Sequence, residues 1–174
     1  MENKFLAHIA EDGREQTVFE HLAAEFSRPF GGEAQGLLAG TAHDIGKYSA
    51  AFQRRLTGDS RRVDHATAGA FECMGRGQPF AAFAVAGHHG GLPDGGGRGD
   101  GPEAATFWGR IKRAGRGGLE PYGAWAREVS LPGGQPPPFA KQNPGAGMFF
   151  IRMLYSCLVA ADFLDTEAFM SGKP

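Results

Sequence analysis

Apolar positions along this chain recur at helical spacing. Phe19, Leu22, Ala23 and Phe26 predict a helix over 16–26, and Leu37, Leu38, Thr41 and Ile45 predict one over 34–48. Phe52 and Leu56 share a face of a short helix over 49–56. Asp64 is placed to cap a helix over 65–74 that Gly75 can end. The segment 79–89 is apolar nearly throughout, which predicts a buried helix. Pro102 suits the first turn of a helix over 102–114 that carries Phe107, Trp108 and Ile111. A weaker pattern covers 120–129, and a long apolar one covers 147–170. No useful length alternates with period two, so the pattern predicts an all-α helical bundle.

Two segments interrupt the helices. GHHGGLPDGGGRGDG, 87–101, is glycine-rich and expected to be mobile, and LPGGQPPPFAKQNPG, 131–145, reads as an extended surface connection. Neither separates two domains, and 174 residues suit a single one over 1–174. The 28 glycines are concentrated locally and not periodic, which excludes collagen and repeat arrays. A net charge of −1 argues against holding nucleic acid by bulk charge alone. The two cysteines, Cys73 and Cys157, form no CxxC motif, and a reducing cytoplasm fits them. The stretch 148–164 contains Arg152 and Asp162 and is shorter than the ~20 residues of a membrane span, so it is expected to be a buried core helix with no membrane partner.

Candidate chemistry lies with the histidines. All six occur in the first half: His8, His21, His43, His65, His88 and His89. His43 and Asp44 are adjacent, about 100° apart on a helix, so they cannot chelate one ion as an i,i+4 pair does. They can instead line a cavity, the imidazole binding one metal and the carboxylate bridging two. His88 and His89 fall where an apolar helix meets a glycine loop, and two imidazoles at a buried helix end are costly unless something binds them. Asp162 lies in LYSCLVAADFL, where an ionised carboxylate must be paired, protonated or metal-bound. Imidazoles and carboxylates converging from several helices are a common way to build a metal site in a bundle core, and this donor set suits Mn, Fe, Co, Ni or Zn.

The order His, His-Asp, His, His-His, Asp resembles the HD-domain metal-dependent phosphohydrolases. HDIGKYSAAFQRRL, VDHATAGA, AGHHGGLPD and CLVAADFLDTE are more specifically similar to the HD nuclease domain of the CRISPR-associated nuclease-helicase of type I systems. The resemblance runs from about Leu6 to Glu167. It implies an HD-domain helical bundle with one or two divalent transition metal ions, Mn, Fe, Co or Ni, with Mg or Zn as the other candidates. His21, His43, Asp44 and Asp162 would hold one ion, and Asp44, His65, His88 and His89 the other. Asp44 would be the bridge, and Lys47 the basic residue that contacts phosphate. His8 is expected away from the ligands, and Asp64 as a helix cap. Members often read Val-Asp-Ala-Asp at the last motif, where this chain has Val159-Ala160-Ala161-Asp162. Asp162 is the expected ligand. Position 160 lies about 200° around the helix from it, so the two could not face the same ion.

The resemblance further implies hydrolysis of DNA, chiefly single-stranded, in antiviral defence. The partners would be a helicase domain or subunit and a Cascade-type surveillance complex. Paired ions about 3.5–4 Å apart would make hydroxide available at neutral pH, and Lys47 would stabilise charge on the phosphoryl oxygens. No Ser-His-Asp or Cys-His arrangement competes for the chemistry. GTAHDIGKYS, 40–49, has the wrong glycine spacing for a phosphate-binding loop and Tyr48 in place of Ser or Thr, so the helicase is expected on another subunit or in a longer chain. Three basic clusters, Arg54 with Arg55, Arg61 with Arg62, and Arg110 with Lys112, Arg113 and Arg116, suggest a path for the strand. Phe107 and Trp108 read as core. Two alternatives stand beside the nuclease: an HD phosphohydrolase acting on nucleotides or cyclic dinucleotides, and a catalytically weak HD module that binds a helicase or surveillance complex.

Overall fold

The computed structural model describes residues 6–9, 15–17 and 23–171. Seven α-helices are described: α1 (Ala23–Ser27), α2 (Glu33–Ala42), α3 (Ala50–Leu56), α4 (Ala66–Gly75), α5 (Pro79–Gly87), α6 (Phe107–Gly115) and α7 (Pro144–Ser171). The fold is an all-α bundle with one small addition. Strands β1 (Leu6–Ile9) and β2 (Glu15–Thr17) pair antiparallel, His8 opposite Gln16. Of the helix expected over 16–26, the described residues form a strand at 16–17 and a helix over Ala23–Ser27, and the rest lies outside the described residues.

Local chemistry sets most helix starts. Ser49 accepts a hydrogen bond from Phe52 N at 3.3 Å and caps α3. Thr106 does the same for Gly109 N at 3.2 Å, so α6 begins at Phe107 and not at Pro102. Pro79 and Pro144 occupy the first positions of α5 and α7, where a missing N–H costs nothing. The segment 120–129 forms only a 3-10 turn, Gly123–Arg127.

Helices α2, α5 and α7 surround a core of Leu38, Val85, Phe107, Phe150, Leu154 and Leu158. Four buried alanines of α5, Ala81, Ala82, Ala84 and Ala86, keep its surface low and let its neighbours approach. α4 and α5 form a hairpin whose turn contains Gly77 at φ 68°, a left-handed conformation that favours glycine. α7 is long and apolar enough to cross a membrane by length and composition. Its inner face is core, but Phe149, Phe163 and Leu164 on its other faces are exposed, so the expectation of a buried helix holds on one side only.

Both irregular segments are tied down. In 87–101, Asp94 O accepts from Phe107 N at 2.7 Å, and Asp100 accepts from Gly97 N and, at 2.6 Å, from Thr106 Oγ1. The proline-rich segment contains a 3-10 turn, Pro138–Lys141, that buries Ala140 and sets Phe139 edge-on to Phe150. The buried Gln35 side chain joins it to the bundle. Its Nε2 donates to Gly134 O and to Gln78 Oε1, both at 2.8 Å, and its Oε1 accepts from Ala81 N.

Candidate metal centre

The helix expected over 34–48 breaks at the residues of greatest interest. α2 stops at Ala42, His43 forms its C-terminal cap, and a 3-10 turn, Ile45–Tyr48, follows Asp44. The break turns both His43 and Asp44 inward, with His43 Nε2 3.4 Å from Asp44 Oδ2. Gly46 permits the next approach. A Cβ there would overlap the backbone of His65, so only glycine lets α4 begin so close to this turn. Gly69 does the same one turn further along α4, against the carbonyl of Ala42.

Four elements contribute side chains. The end of α2 supplies His43 and Asp44, the start of α4 supplies His65, the end of α5 supplies His88 and His89, and α7 supplies Asp162. His43 Nε2 lies 3.6 Å from Asp162 Oδ1. Asp44 Oδ1 lies 3.7 Å from His65 Nε2 and 4.0 Å from His88 Nε2. His65 and His89 bring their Nε2 atoms to 2.8 Å of each other. Two sets have donor atoms mutually within 4.8 Å: Asp44, His65, His88 and His89, and His43, His88 and Asp162. His21 lies outside the described residues. Ala160 is exposed, on a different face of α7 from Asp162, so the alanine in the last motif removes nothing from this cluster.

The imidazoles are oriented by the backbone. His43 Nδ1 is 2.7 Å from Gly40 O, and His88 Nδ1 is 2.7 Å from Val85 O. A carbonyl only accepts, so each Nδ1 carries the proton and each Nε2 points its other valence at the cluster. This is the arrangement in which histidine ligates metal, with the far nitrogen fixing the tautomer. His88 Nε2 is buried and has no hydrogen-bond partner among the described residues. An unsatisfied buried acceptor costs about 1–3 kcal/mol. A cation would satisfy it, so these His and Asp side chains could hold a metal ion.

Charge is graded across the site. His43, Asp44, Lys47 and His88 are buried, His65 is half-buried and His89 is exposed. Burial alone would push His43 down, but the Asp44 and Asp162 carboxylates outweigh it and hold the imidazole up at about 10. Burial would raise Asp162, and its hydrogen bond to His43 holds it down. Burial pushes His65 down to about 4 and lowers His88 further, with the positive charge of His43 adding to the effect on His88. Lys47 Nζ sits 2.6 Å from Asp44 Oδ2 and is 2% exposed, so its charge is directed at this carboxylate.

A cavity of about 370 Å³ adjoins the exposed side of the cluster, lined by His65, His89, Gly90, Leu92, Pro93 and Arg110 among others. Three members of the third basic cluster bond to the chain itself. Lys112 donates to Asp100 O and Arg98 O, Arg113 to Pro102 O, and Arg110 to Asp64 and Ala86 O. These residues brace the chain, a role their spacing did not reveal. Phe107 is core, stacked on Phe83 with ring centres 3.7 Å apart. Asp64 accepts from Thr67 N at 3.1 Å, as a cap does. Neither a family model nor a curated protein matches this chain.

Proposed function

We propose that this chain is a metal-dependent nuclease that hydrolyses phosphodiester bonds, chiefly in single-stranded DNA, as part of type I CRISPR interference and alongside a helicase. The observation that carries the reading is the convergence of His43, His65, His88 and His89 on Asp44 and Asp162, with two Nδ1–H groups already committed to backbone carbonyls. The order of these residues along the chain supports the substrate class through the family resemblance.

Bound ions would acidify a water and polarise the phosphodiester. His88 is common to the two donor sets, and Asp44, with Oδ2 facing His43 and Oδ1 facing His65 and His88, would be the carboxylate shared between two ions. Lys47 balances the charge of Asp44 and fixes its carboxylate. His43 and His88 are held in register by Gly40 O and Val85 O, so their rings need not turn when an ion binds, and His43 gives up the Nε2 proton that Asp44 and Asp162 stabilise there. The exposed His89 marks the side from which a phosphate reaches the centre, beside the cavity lined by Gly90, Leu92 and Pro93.

The test combines elemental analysis of the purified chain with nicking of a labelled single-stranded oligonucleotide in Mn²⁺, Co²⁺ or Ni²⁺. The expected result is bound transition metal and metal-dependent cleavage, with His43→Ala and Asp44→Ala each slower by about 10²–10³-fold, the scale of losing a principal electrostatic stabiliser. Full-rate cleavage by either variant, or metal without cleavage of DNA, overturns the reading.

A further inference from the structure

Arg110 lies on α6, which contributes no donor to the cluster, yet its guanidinium joins two of the segments that do. Nη2 donates to Asp64 Oδ1 at 2.9 Å, and Asp64 immediately precedes His65. Nη1 donates to Ala86 O at 2.7 Å, two residues before His88. Nε donates to the hydroxyl of Thr67, which in turn donates to Asp64. One planar head therefore clamps the start of α4 to the end of α5.

The clamp completes the carbonyl end of α5, whose last C=O groups have no partner within the helix. Val85 O takes His88 Nδ1, Ala86 O takes Arg110, and Gly87 O takes the N–H groups of Gly90 and Gly91. Each acceptor is committed, so the turn bearing His88 and His89 has a single arrangement. At the other end of the clamp, Asp64 holds Thr67 N and Arg110 together, which sets where His65 starts α4. The 2.8 Å approach of His65 to His89 is the distance that this clamp holds. A lysine has one nitrogen and cannot bridge three acceptors in a fixed plane.

The geometry points to Arg110 as a positioning residue for the ion held by Asp44, His65, His88 and His89, acting through the placement of His65 against His89. The inference rests on the metal reading above. It makes the arginine a part of the centre although it supplies none of the donor atoms.

The test is a double-mutant cycle on the full chain, read as Mn²⁺ affinity by calorimetry, with circular dichroism checking that each variant is folded. Arg110→Gln should weaken Mn²⁺ binding by about 10–100-fold, the scale of losing a group that orients a ligand. In a His65→Ala background the same substitution should cost clearly less than it does in the wild type, because the ligand at one end of the clamp is gone. Arg110→Lys should lose affinity as Arg110→Gln does, and it carries the cycle if the glutamine variant fails to fold. Equal losses in both backgrounds, or wild-type affinity in Arg110→Gln and Arg110→Lys, overturn the positioning role while leaving the metal reading in place. A wild-type chain that takes up no Mn²⁺, Co²⁺ or Ni²⁺ overturns the metal reading and this inference together.

Discussion

His65 and His89 face each other through Nε2 atoms 2.8 Å apart, across the gap between the start of α4 and the end of α5. Two neutral rings in this position share one proton, or both lone pairs turn to a common cation. His89 is exposed, so replacing it removes a donor with little loss of packing. His89→Ala should therefore weaken Mn²⁺ binding by about 10–100-fold while leaving stability in chelator within about 0.5 kcal/mol of wild type. Calorimetric titration and thermal unfolding in EDTA measure the two quantities separately. An unchanged Mn²⁺ affinity would remove His89 from the ligand set.

Acid should destabilise the metal-free chain before its carboxylates titrate. Burial lowers the folded-state values of His65, to about 4, and of His88. Their unfolded values are near 6.5. Below that value the unfolded chain takes up protons that the folded chain refuses, so stability is present above pH 6.5 and is lost as pH falls toward 4. His43 acts in the opposite direction and in another window. Its folded value is raised to about 10, so its contribution is present below pH 6.5 and fades as pH rises toward 10. Asp162, held low by His43, loses its contribution only below about pH 4. Thermal unfolding in EDTA should show Tm falling by on the order of 10 °C from pH 6.5 to 4.5, with a shallower slope in His65→Gln. A flat profile across that window would contradict the buried, neutral state of these two rings.

The periodic helices were legible because their apolar faces are what the bundle buries. Phe52, Phe107, Phe150, Leu154 and Leu158 are core, and α3, α4, α5 and α7 fall within a few residues of their expected bounds. The breaks were not legible. Residues 34–48 have helical periodicity throughout, but the chain turns at His43 because His43 Nδ1 reaches back to Gly40 O and His65 occupies the space beside Gly46. Such a contact between residues 19 apart leaves no mark on local spacing. The donors themselves were readable as misplaced polarity: Asp162 in an apolar helix and His88 at the end of another. The role of Arg110 was hidden, since its partners Asp64 and Ala86 are distant in sequence and a run of basic residues looks the same whether it faces solvent or its own chain.

Lys47 and Asp44 form a buried ion pair at 2.6 Å, and removing one member of such a pair costs about 3–5 kcal/mol. Lys47→Met should lower Tm in EDTA by roughly 10 °C for a domain of this size. Added Mn²⁺ brings positive charge back to Asp44, so the variant should bind it more tightly than wild type, and at a fixed saturating Mn²⁺ concentration each tenfold fall in Kd adds about 1.4 kcal/mol of stabilisation. The variant should therefore gain more Tm from Mn²⁺ than wild type gains. Equal gains in the two proteins would show that the ammonium and the metal do not act on the same carboxylate.

Gly46 and Gly75 offer a matched pair of substitutions with opposite expected signs. A Cβ on Gly46 would meet the carbonyl oxygen, Cα and carbonyl carbon of His65, all of them backbone atoms that cannot swing aside. Gly46→Ala must push α4 away from the turn after Asp44, at a cost of about 1–3 kcal/mol for overpacking. The same displacement carries His65 away from Asp44, so Mn²⁺ affinity should fall along with Tm. Gly75 ends α4, and nothing lies within 4 Å of the point an alanine Cβ would occupy there. Alanine at this position removes the entropic cost of a helical glycine, about 0.5–1 kcal/mol. Gly75→Ala should raise Tm by a few degrees and leave Mn²⁺ affinity unchanged. Wild-type Tm and affinity in Gly46→Ala would mean that the close approach of His65 is not what builds the centre.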